Sequence, residues 1–517
     1  MICIKRRAFI TGIMRTAALT AISQGQLAAP LMAEAPSSTM ATDPRRPQYH
    51  FLPASNWMND PNGPIHFNGN YHLFYQFNPN GAFWGDMHWG HAISFDMVNW
   101  RHLPVALAPT PSGPDADGCF TGTAVIKDGQ VVVLYTGVHA VAAEQATSMD
   151  GAHIFRETQC LATSSDPELQ TWSKLPAPVI PAPPPGMQVN GFRDPSPWCQ
   201  GDWWHVVIGS GIADKGGAVL LYKSRDLRSW EFVHILARRN QNRVSSFDPF
   251  DPWEVWECPE FFALGAKHVL IFSTGGKAYW QSGELDAEKM IFHSEQAGML
   301  DYGSFYAPKT QLDKSGNRIM WGWIPETRPV EECKAAGWAG LMSLPRVLSL
   351  GKDGRLRIRV AAEVNTLRGH EQILNIVADE DRNRRQIEAM RIEGASAEIR
   401  LTARRTQEPF ELALQSADDA VTWLILKYDP LQPRQILIDG RPLPVLLGEN
   451  EDLELHLYVD GSVIEVFVNQ HAACTKRFYP LGSKSRDMSL QLTGKTANLV
   501  SLSVWQMSPI SSNRLTT

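Results

Sequence analysis
The amino-acid sequence predicts an all-β chain, a β-propeller followed by a C-terminal β-sandwich, and three observations carry that prediction. The first is a succession of short apolar runs separated by Gly, Asn, Asp and Pro, such as Tyr71-His72-Leu73-Phe74-Tyr75, Val131-Val132-Val133-Leu134-Tyr135, His205-Val206-Val207-Ile208 and His268-Val269-Leu270-Ile271-Phe272. They have strand length and β-branched or aromatic content, with almost no helical periodicity between them. The second is a cryptic repeat. Ser94-Phe95-Asp96-Met97-Val98-Asn99-Trp100 recurs as Ser224-Arg225-Asp226-Leu227-Arg228-Ser229-Trp230 and, more loosely, as Ser165-Asp166-Pro167-Glu168-Leu169-Gln170-Thr171-Trp172. Intervals of roughly 60 to 70 residues suit one four-stranded sheet with long loops per copy, and radial repetition of such sheets is a propeller. The third is a change of pattern after about Ala361. Glu398-Ile399-Arg400-Leu401-Thr402, Thr422-Trp423-Leu424-Ile425-Leu426-Lys427-Tyr428 and Leu453-Glu454-Leu455-His456-Leu457-Tyr458-Val459 largely alternate apolar and polar residues, and Asp439-Gly440 and Asp460-Gly461 mark turns. Two sheets that each bury one face read this way.

Taken in chain order, residues 1–35 read as a signal peptide. Lys5-Arg6-Arg7-Ala8-Phe9-Ile10 resembles a twin-arginine export signal, and a small-residue stretch interrupted by Arg15 leads to Ala33-Glu34-Ala35, a cleavage-like site. Such a signal carries an already folded protein out of the cytoplasm, so the expected location is periplasmic or extracellular. Residues 36–48 form a polar N-terminal leader, residues 49–362 the propeller and residues 368–512 the sandwich, with the boundary near Leu367. After the signal, no segment is long and apolar enough to span a bilayer.

Composition narrows the function classes. A chain of 517 residues exceeds one ordinary core, so two or more domains are expected. The net charge of −6, without a long lysine or arginine block, offers no evident docking site for a nucleic acid or an anionic membrane. A neutral partner fits better. The 17 Trp suit a carbohydrate binder, because an indole face can cover the C–H face of a sugar, although most are expected in the core. Cys119, Cys160, Cys199, Cys258, Cys333 and Cys474 lack the spacing of a zinc site and read as mostly buried thiols. His66, His88 and His91 likewise lack ligand spacing, so no metal is expected. Oligomeric state stays open.

Chemistry concentrates in three acidic residues in compact turns with aromatic residues close by: Asp60 in Trp57-Met58-Asn59-Asp60-Pro61-Asn62-Gly63, Asp194 in Phe192-Arg193-Asp194-Pro195, and Glu257 in Trp256-Glu257-Cys258-Pro259. A retaining glycosidase needs a nucleophile, an anchor for sugar hydroxyls and a proton donor, and carboxyls can fill all three roles. Asp-Pro alone is a common turn dipeptide, recurring at Asp43, Asp166, Asp248, Asp251 and Asp429. The three motifs together, with their surroundings, favour the enzyme.

Those surroundings resemble glycoside hydrolase family 32, the invertase, inulinase and levanase family of β-fructofuranosidases. The likeness runs through Tyr75-Gln76-Phe77-Asn78-Pro79, Trp89-Gly90-His91-Ala92, Cys119-Phe120-Thr121-Gly122-Thr123, Phe305-Tyr306-Ala307-Pro308, Gly337-Trp338-Ala339-Gly340 and Val459-Asp460-Gly461-Ser462-Val463. The resemblance implies a five-bladed propeller followed by a β-sandwich, and no metal or organic cofactor. It implies that Asp60 is the nucleophile, Glu257 the general acid/base, and Asp194, with Arg193, the transition-state stabiliser. Asn59 and Gln76 are expected as hydroxyl and nucleophile partners, and Trp57 and Trp84 as pocket lining. Phe120 and Thr121 match a substrate-contacting stretch in which the family more often has Ser than Thr, so subsite preference is open there.

The expected substrate is sucrose or a fructan such as inulin or levan, cleaved through a covalent fructosyl-enzyme intermediate. Asp60 must be ionised to attack and Glu257 protonated to assist departure, demands that two neighbouring carboxyls in a partly apolar cup can meet. Arg193 is expected to hold Asp194 ionised and oriented. A fructosyltransferase would use the same three carboxyls, an inverting hydrolase would need a wider separation of carboxyls, and a non-catalytic sugar-binding propeller would lack one of them.

Overall fold
The computed structural model describes residue 40 and residues 42–150, 153–239, 251, 253–404, 408–418, 421–445, 447–448, 451–479 and 487–511. The expected signal peptide at 1–35 lies outside the described residues.

Five antiparallel sheets follow one another along the first part of the chain. Each begins with an inner strand, namely Asn56–Phe67, Gly118–Lys127, Val189–Gln200, Glu257–Leu264 and Tyr306–Leu312. Each inner strand contacts the next, and the fifth contacts the first, which closes the ring. The chain is a five-bladed β-propeller followed by a β-sandwich. A second closure lies at the rim, where Trp338–Ala339 pairs parallel to Asn56 and Trp57. The Asn56 amide there donates to the Gly337 carbonyl at 2.7 Å. The short helix Val330–Ala336 delivers this segment and ends on Gly337 at φ 74°, a left-handed conformation that glycine adopts at little cost.

The repeat seen in the sequence is a side-chain-capped turn between outer strands. In the first blade Ser94 Oγ donates to Asp96 Oδ1, and that oxygen accepts the amides of Val98 and Asn99 at 2.9 and 2.8 Å. Trp100 Nε1 donates back to the Met97 carbonyl at 3.1 Å. Asp226 with Trp230, and Asp166 with Trp172, repeat the arrangement. In the Asp166 copy the serine bonded to the aspartate's amide is Ser164. A fourth copy, which the sequence pattern did not reveal, stands at Asp286, which accepts from the amides of Glu288 and Lys289. It lacks both the Ser and the Trp. Met97 and Leu227 directly follow their aspartates in the left-handed conformation, whereas Leu169 and Met290 adopt it three and four residues after theirs.

Residues after the propeller form two six-stranded sheets packed face to face. Alternate residues such as Ile399, Leu401, Leu412, Leu414, Leu455, Leu457, Leu490 and Val504 fill the space between them, which is why the sequence alternates there. The sandwich is bound to the propeller by main-chain bonds from Tyr302 and Ser304 to Ala473 and Thr475, at 2.8 and 2.7 Å. Between the two lies a buried chain of charges. His50 joins Asp460 to Glu465, both at 2.9 Å, and Arg346 joins Glu465 to Asp301 at 2.6 and 3.0 Å. The amides of Gln48, Tyr49 and His50 also donate to Asp460. The last residues of the expected polar leader are thus packed against the sandwich. No helix among the described residues is long and apolar enough to cross a membrane.

Candidate active site
Every inner strand breaks register near its start, between Met58 and Pro61, Cys119 and Gly122, Arg193 and Ser196, Glu257 and Glu260, and Tyr306 and Lys309. Such bulges re-aim side chains and concentrate next to functional sites. Here all five sit at one end of the ring. Asp60, Thr121, Asp194, Glu257 with Cys258, and Tyr306 occupy them. Asp194 and Cys258 hold φ of 64° and 49°, conformations costly for residues with a Cβ and tolerated where the surrounding structure enforces them.

The three carboxyls converge through short bonds. Asp60 accepts from Asn59 Nδ2 at 3.1 Å and from Thr121 Oγ1 at 2.9 Å. Trp57 Nε1 donates to Asn59 Oδ1 at 2.7 Å, so the indole orients the amide that orients Asp60. Asp194 Oδ2 accepts the Cys258 amide at 2.8 Å, and the Cys258 thiol lies 3.4 Å from Asp194 and 3.6 Å from Asp60. Cys258 therefore links the two aspartates as well as packing beside Glu257. Burial raises its thiol pKa well above the ordinary range, with the neighbouring aspartate charges adding to the effect, so it stays a protonated donor. Glu257 Oε2 accepts from the Tyr306 hydroxyl, and Glu257 Oε1 lies 3.8 Å from Arg193 Nη1.

Electrostatics correct one expectation. Burial pushes the Asp194 carboxyl up to about 7, opposed by Arg193 and Lys309 and reinforced by Glu257 and Asp60. Arg193 favours the ionised form without overcoming desolvation. The guanidinium also lies 3.3 Å from Glu157, 3.8 Å from Glu257 and 3.3 Å from Ser148 Oγ. Orientation of Asp194 comes from the Cys258 amide and from its own amide, which donates to Thr136 Oγ1 at 2.8 Å.

The other expected residues surround this centre. Gln76 is buried and donates to the Cys119 carbonyl at 3.0 Å, which ties the first blade to the second at its bulge. Trp84 is 41% exposed and meets Phe120 edge-on at 6.1 Å. Phe120 meets Phe155 at 6.1 Å, so the three rings form one continuous aromatic row beside Thr121. Two groups had no assigned part in the sequence reading. Tyr306 stood in a quoted motif without a role, and its signal was its place at the start of an inner strand. Glu157 lay in a run with no distinguishing pattern.

Below the triad, Glu260 accepts from Ser196 Oγ at 2.8 Å, Thr310 Oγ1 at 2.7 Å and Lys309 Nζ at 3.2 Å. This fully bonded carboxylate knits the inner strands under the site floor.

Residues 50–359 match the Glycosyl hydrolases family 32 N-terminal domain, and residues 363–506 match the Glycosyl hydrolases family 32 C terminal domain. The chain is 35% identical to a sucrose-6-phosphate hydrolase of Escherichia coli, over 89% of this chain and 94% of that protein. It is 35% identical to a raffinose invertase of Escherichia coli, over 89% and 95%. Among solved structures, a family 32 β-fructofuranosidase of Bombyx mori superposes with a TM-score of 0.73 at 29% identity, over 92% of this chain and 96% of that one. Matched domains in the expected order, on the expected architecture, establish that this chain belongs to glycoside hydrolase family 32 and is a glycoside hydrolase.

Proposed function
We propose that the chain is a retaining β-fructofuranosidase that hydrolyses the fructosyl bond of sucrose, of fructans such as inulin or levan, or of both. The single observation that best supports this reading is the meeting of Asp60, Asp194 and Glu257 from three different inner strands, tied together through Cys258 and Arg193. Asp60 is the nucleophile. With Asn59 and Thr121 each donating to one of its oxygens, it is aimed before substrate arrives. Glu257 delivers a proton to the leaving oxygen and then, as carboxylate, activates water against the fructosyl ester. Tyr306 and Arg193 steady it. Asp194 accepts hydrogen bonds from neighbouring ring hydroxyls, and its negative charge favours the oxocarbenium-like transition state. Trp57 and the wall of Trp84 and Phe120 shape the pocket for the sugar. The twin-arginine-like leader supports export of the folded protein, which fractionation of expressing cells tests directly.

A product time course on sucrose, inulin and levan tests the assignment. Fructose is expected from at least one of them, with early oligosaccharides from the polymers if attack is internal. Asp60→Ala and Glu257→Ala are each expected to lower turnover by roughly a thousandfold or more while leaving the melting temperature near that of the parent. Near-normal fructose release from folded Asp60→Ala would refute the nucleophile, and trisaccharide accumulating over free fructose at high sucrose would turn the reading to a transferase.

A further inference from the structure
Behind the site stands a carboxyl that the proposed mechanism leaves without a task. Glu157 is completely buried, on the strand His153–Ser164 of the second blade, which is separate from every strand that carries the triad. Its Oε1 lies 3.3 Å from Arg193 Nε. Its Oε2 accepts the Phe192 amide at 2.6 Å and the Thr147 hydroxyl at 3.4 Å. On the far side of the same guanidinium, Arg193 Nη1 lies 3.8 Å from Glu257. One cation therefore stands between two carboxyls, one sealed in the blade and one facing the substrate.

We propose that Glu157 is a positioning residue for the acid/base. By sharing Arg193 with Glu257, it limits how far that cation favours the Glu257 carboxylate, and so keeps a proton available for the leaving group. The inference rests on the hydrolase reading above.

The argument is electrostatic and geometric. A lone guanidinium beside a carboxyl lowers its proton affinity, by one to three pKa units in close pairs. A general acid needs the opposite, an affinity high enough to hold its proton at working pH. A second carboxylate on the guanidinium offsets the cation's field without entering the pocket, where it would compete with substrate. Burial, with the Glu257 charge adding, leaves the Glu157 carboxyl above its ordinary value, while Arg193, the Phe192 amide and the Thr147 hydroxyl oppose the rise. The donors around it are those of an ionised acceptor. The other charged or titratable groups facing this assembly are Asp194, Asp60 and Lys309 on the neighbouring inner strands, together with Tyr306 on Glu257 and Cys258. Phe192 precedes Arg193, so the bond from its amide also fixes the backbone from which the guanidinium extends.

The test is the pH profile of kcat/KM for Glu157→Gln in the full chain, on sucrose and on β-fructosyl fluoride, whose leaving group requires no proton. With Glu157 neutral, Arg193 acts on Glu257 alone, and the basic limb on sucrose is expected to move down by about 0.5–1 pH unit. At pH 7 that is a loss of about 3- to 10-fold on sucrose, with hydrolysis of the fluoride nearly unchanged. Glu157→Asp keeps the charge and draws it back by one methylene, so the limb moves in the same direction by less, and this variant decides the matter alone should Glu157→Gln fail to fold. An unmoved basic limb, or an equal loss on both substrates, overturns the inference. A parent enzyme inactive on both substrates would instead overturn the hydrolase reading.

Discussion
Asp194 combines a left-handed backbone with a desolvated carboxyl. Both features oppose folding, and both hold the carboxyl at the Cys258 amide beside Asp60 and Glu257, a trade of stability for function seen at strained sites. Its folded pKa of about 7 lies above the ordinary 3.8 of an aspartate. A carboxyl raised in this way destabilises the fold once ionised, so the penalty is absent below about pH 4 and complete above about pH 7. Asp194→Asn is therefore expected to melt about 1–3 °C above the parent at pH 8 and level with it at pH 4. Turnover should fall by roughly a hundredfold or more. Calorimetry at the two pH values checks the sign, and a variant less stable at both would contradict the desolvation argument. At this scale the sequence was legible where chemistry was local. Asn59 and Asp60, or Glu257 and Cys258, are neighbours in the chain and announce themselves as motifs. Glu157 and Tyr306 acquire their roles from partners on other blades; the motif around Tyr306 marked its strand but not its partner, and nothing around Glu157 set it apart.

The element that builds the site is the bulged inner strand, used five times. A regular strand would alternate its side chains between faces, whereas the break in register turns an extra residue toward the axis. Gly340 shows how tightly the first of these strands is held. It adopts φ 79°, and a Cβ there would stand 1.9 Å from the Met58 carbonyl, two residues before Asp60. Gly340→Ala is expected to cost about 1–3 kcal/mol and to depress kcat more than it raises KM, because the displaced strand carries Asp60. Thermal melting with steady-state kinetics measures both, and a variant with unaltered kcat would show that the Met58 backbone yields without moving Asp60. The turn repeat was legible in three blades because Ser, Asp and Trp each make a bond in the turn and so recur together. Asp286 escaped notice because the aspartate alone suffices to cap the turn, leaving its neighbours free to vary.

Across the whole molecule, propeller and sandwich share a buried ionic chain from Asp460 through His50, Glu465 and Arg346 to Asp301. Burial opposes a charged His50, yet its bonds to Asp460 and Glu465 outweigh that, and its pKa lies above the ordinary 6.5. The stabilisation is thus fully present below about pH 6.5 and lost as pH rises through the raised value. Parent protein is expected to lose melting temperature on the alkaline side, and His50→Gln to be less stable by about 1–3 kcal/mol at pH 6, with the two curves converging at high pH. Parallel curves would place the stabilisation elsewhere. The sandwich itself was legible from alternation, but this seam was not, since its members come from distant stretches that read singly as ordinary turn and strand residues. The pairing of Trp338 and Ala339 beside Asn56 and Trp57 also has a meaning in time. The strand bearing Asp60 is among the first made, and its last neighbour emerges only when the propeller is almost complete. Closing so long a span is slow, because the entropy of the intervening chain is lost before the contacts form. The rim is therefore a late event in the life of each chain, and a nascent protein cut short before Trp338 would carry all three carboxyls and all five inner strands without the strand that clamps Asn56 and Trp57 beside Asp60.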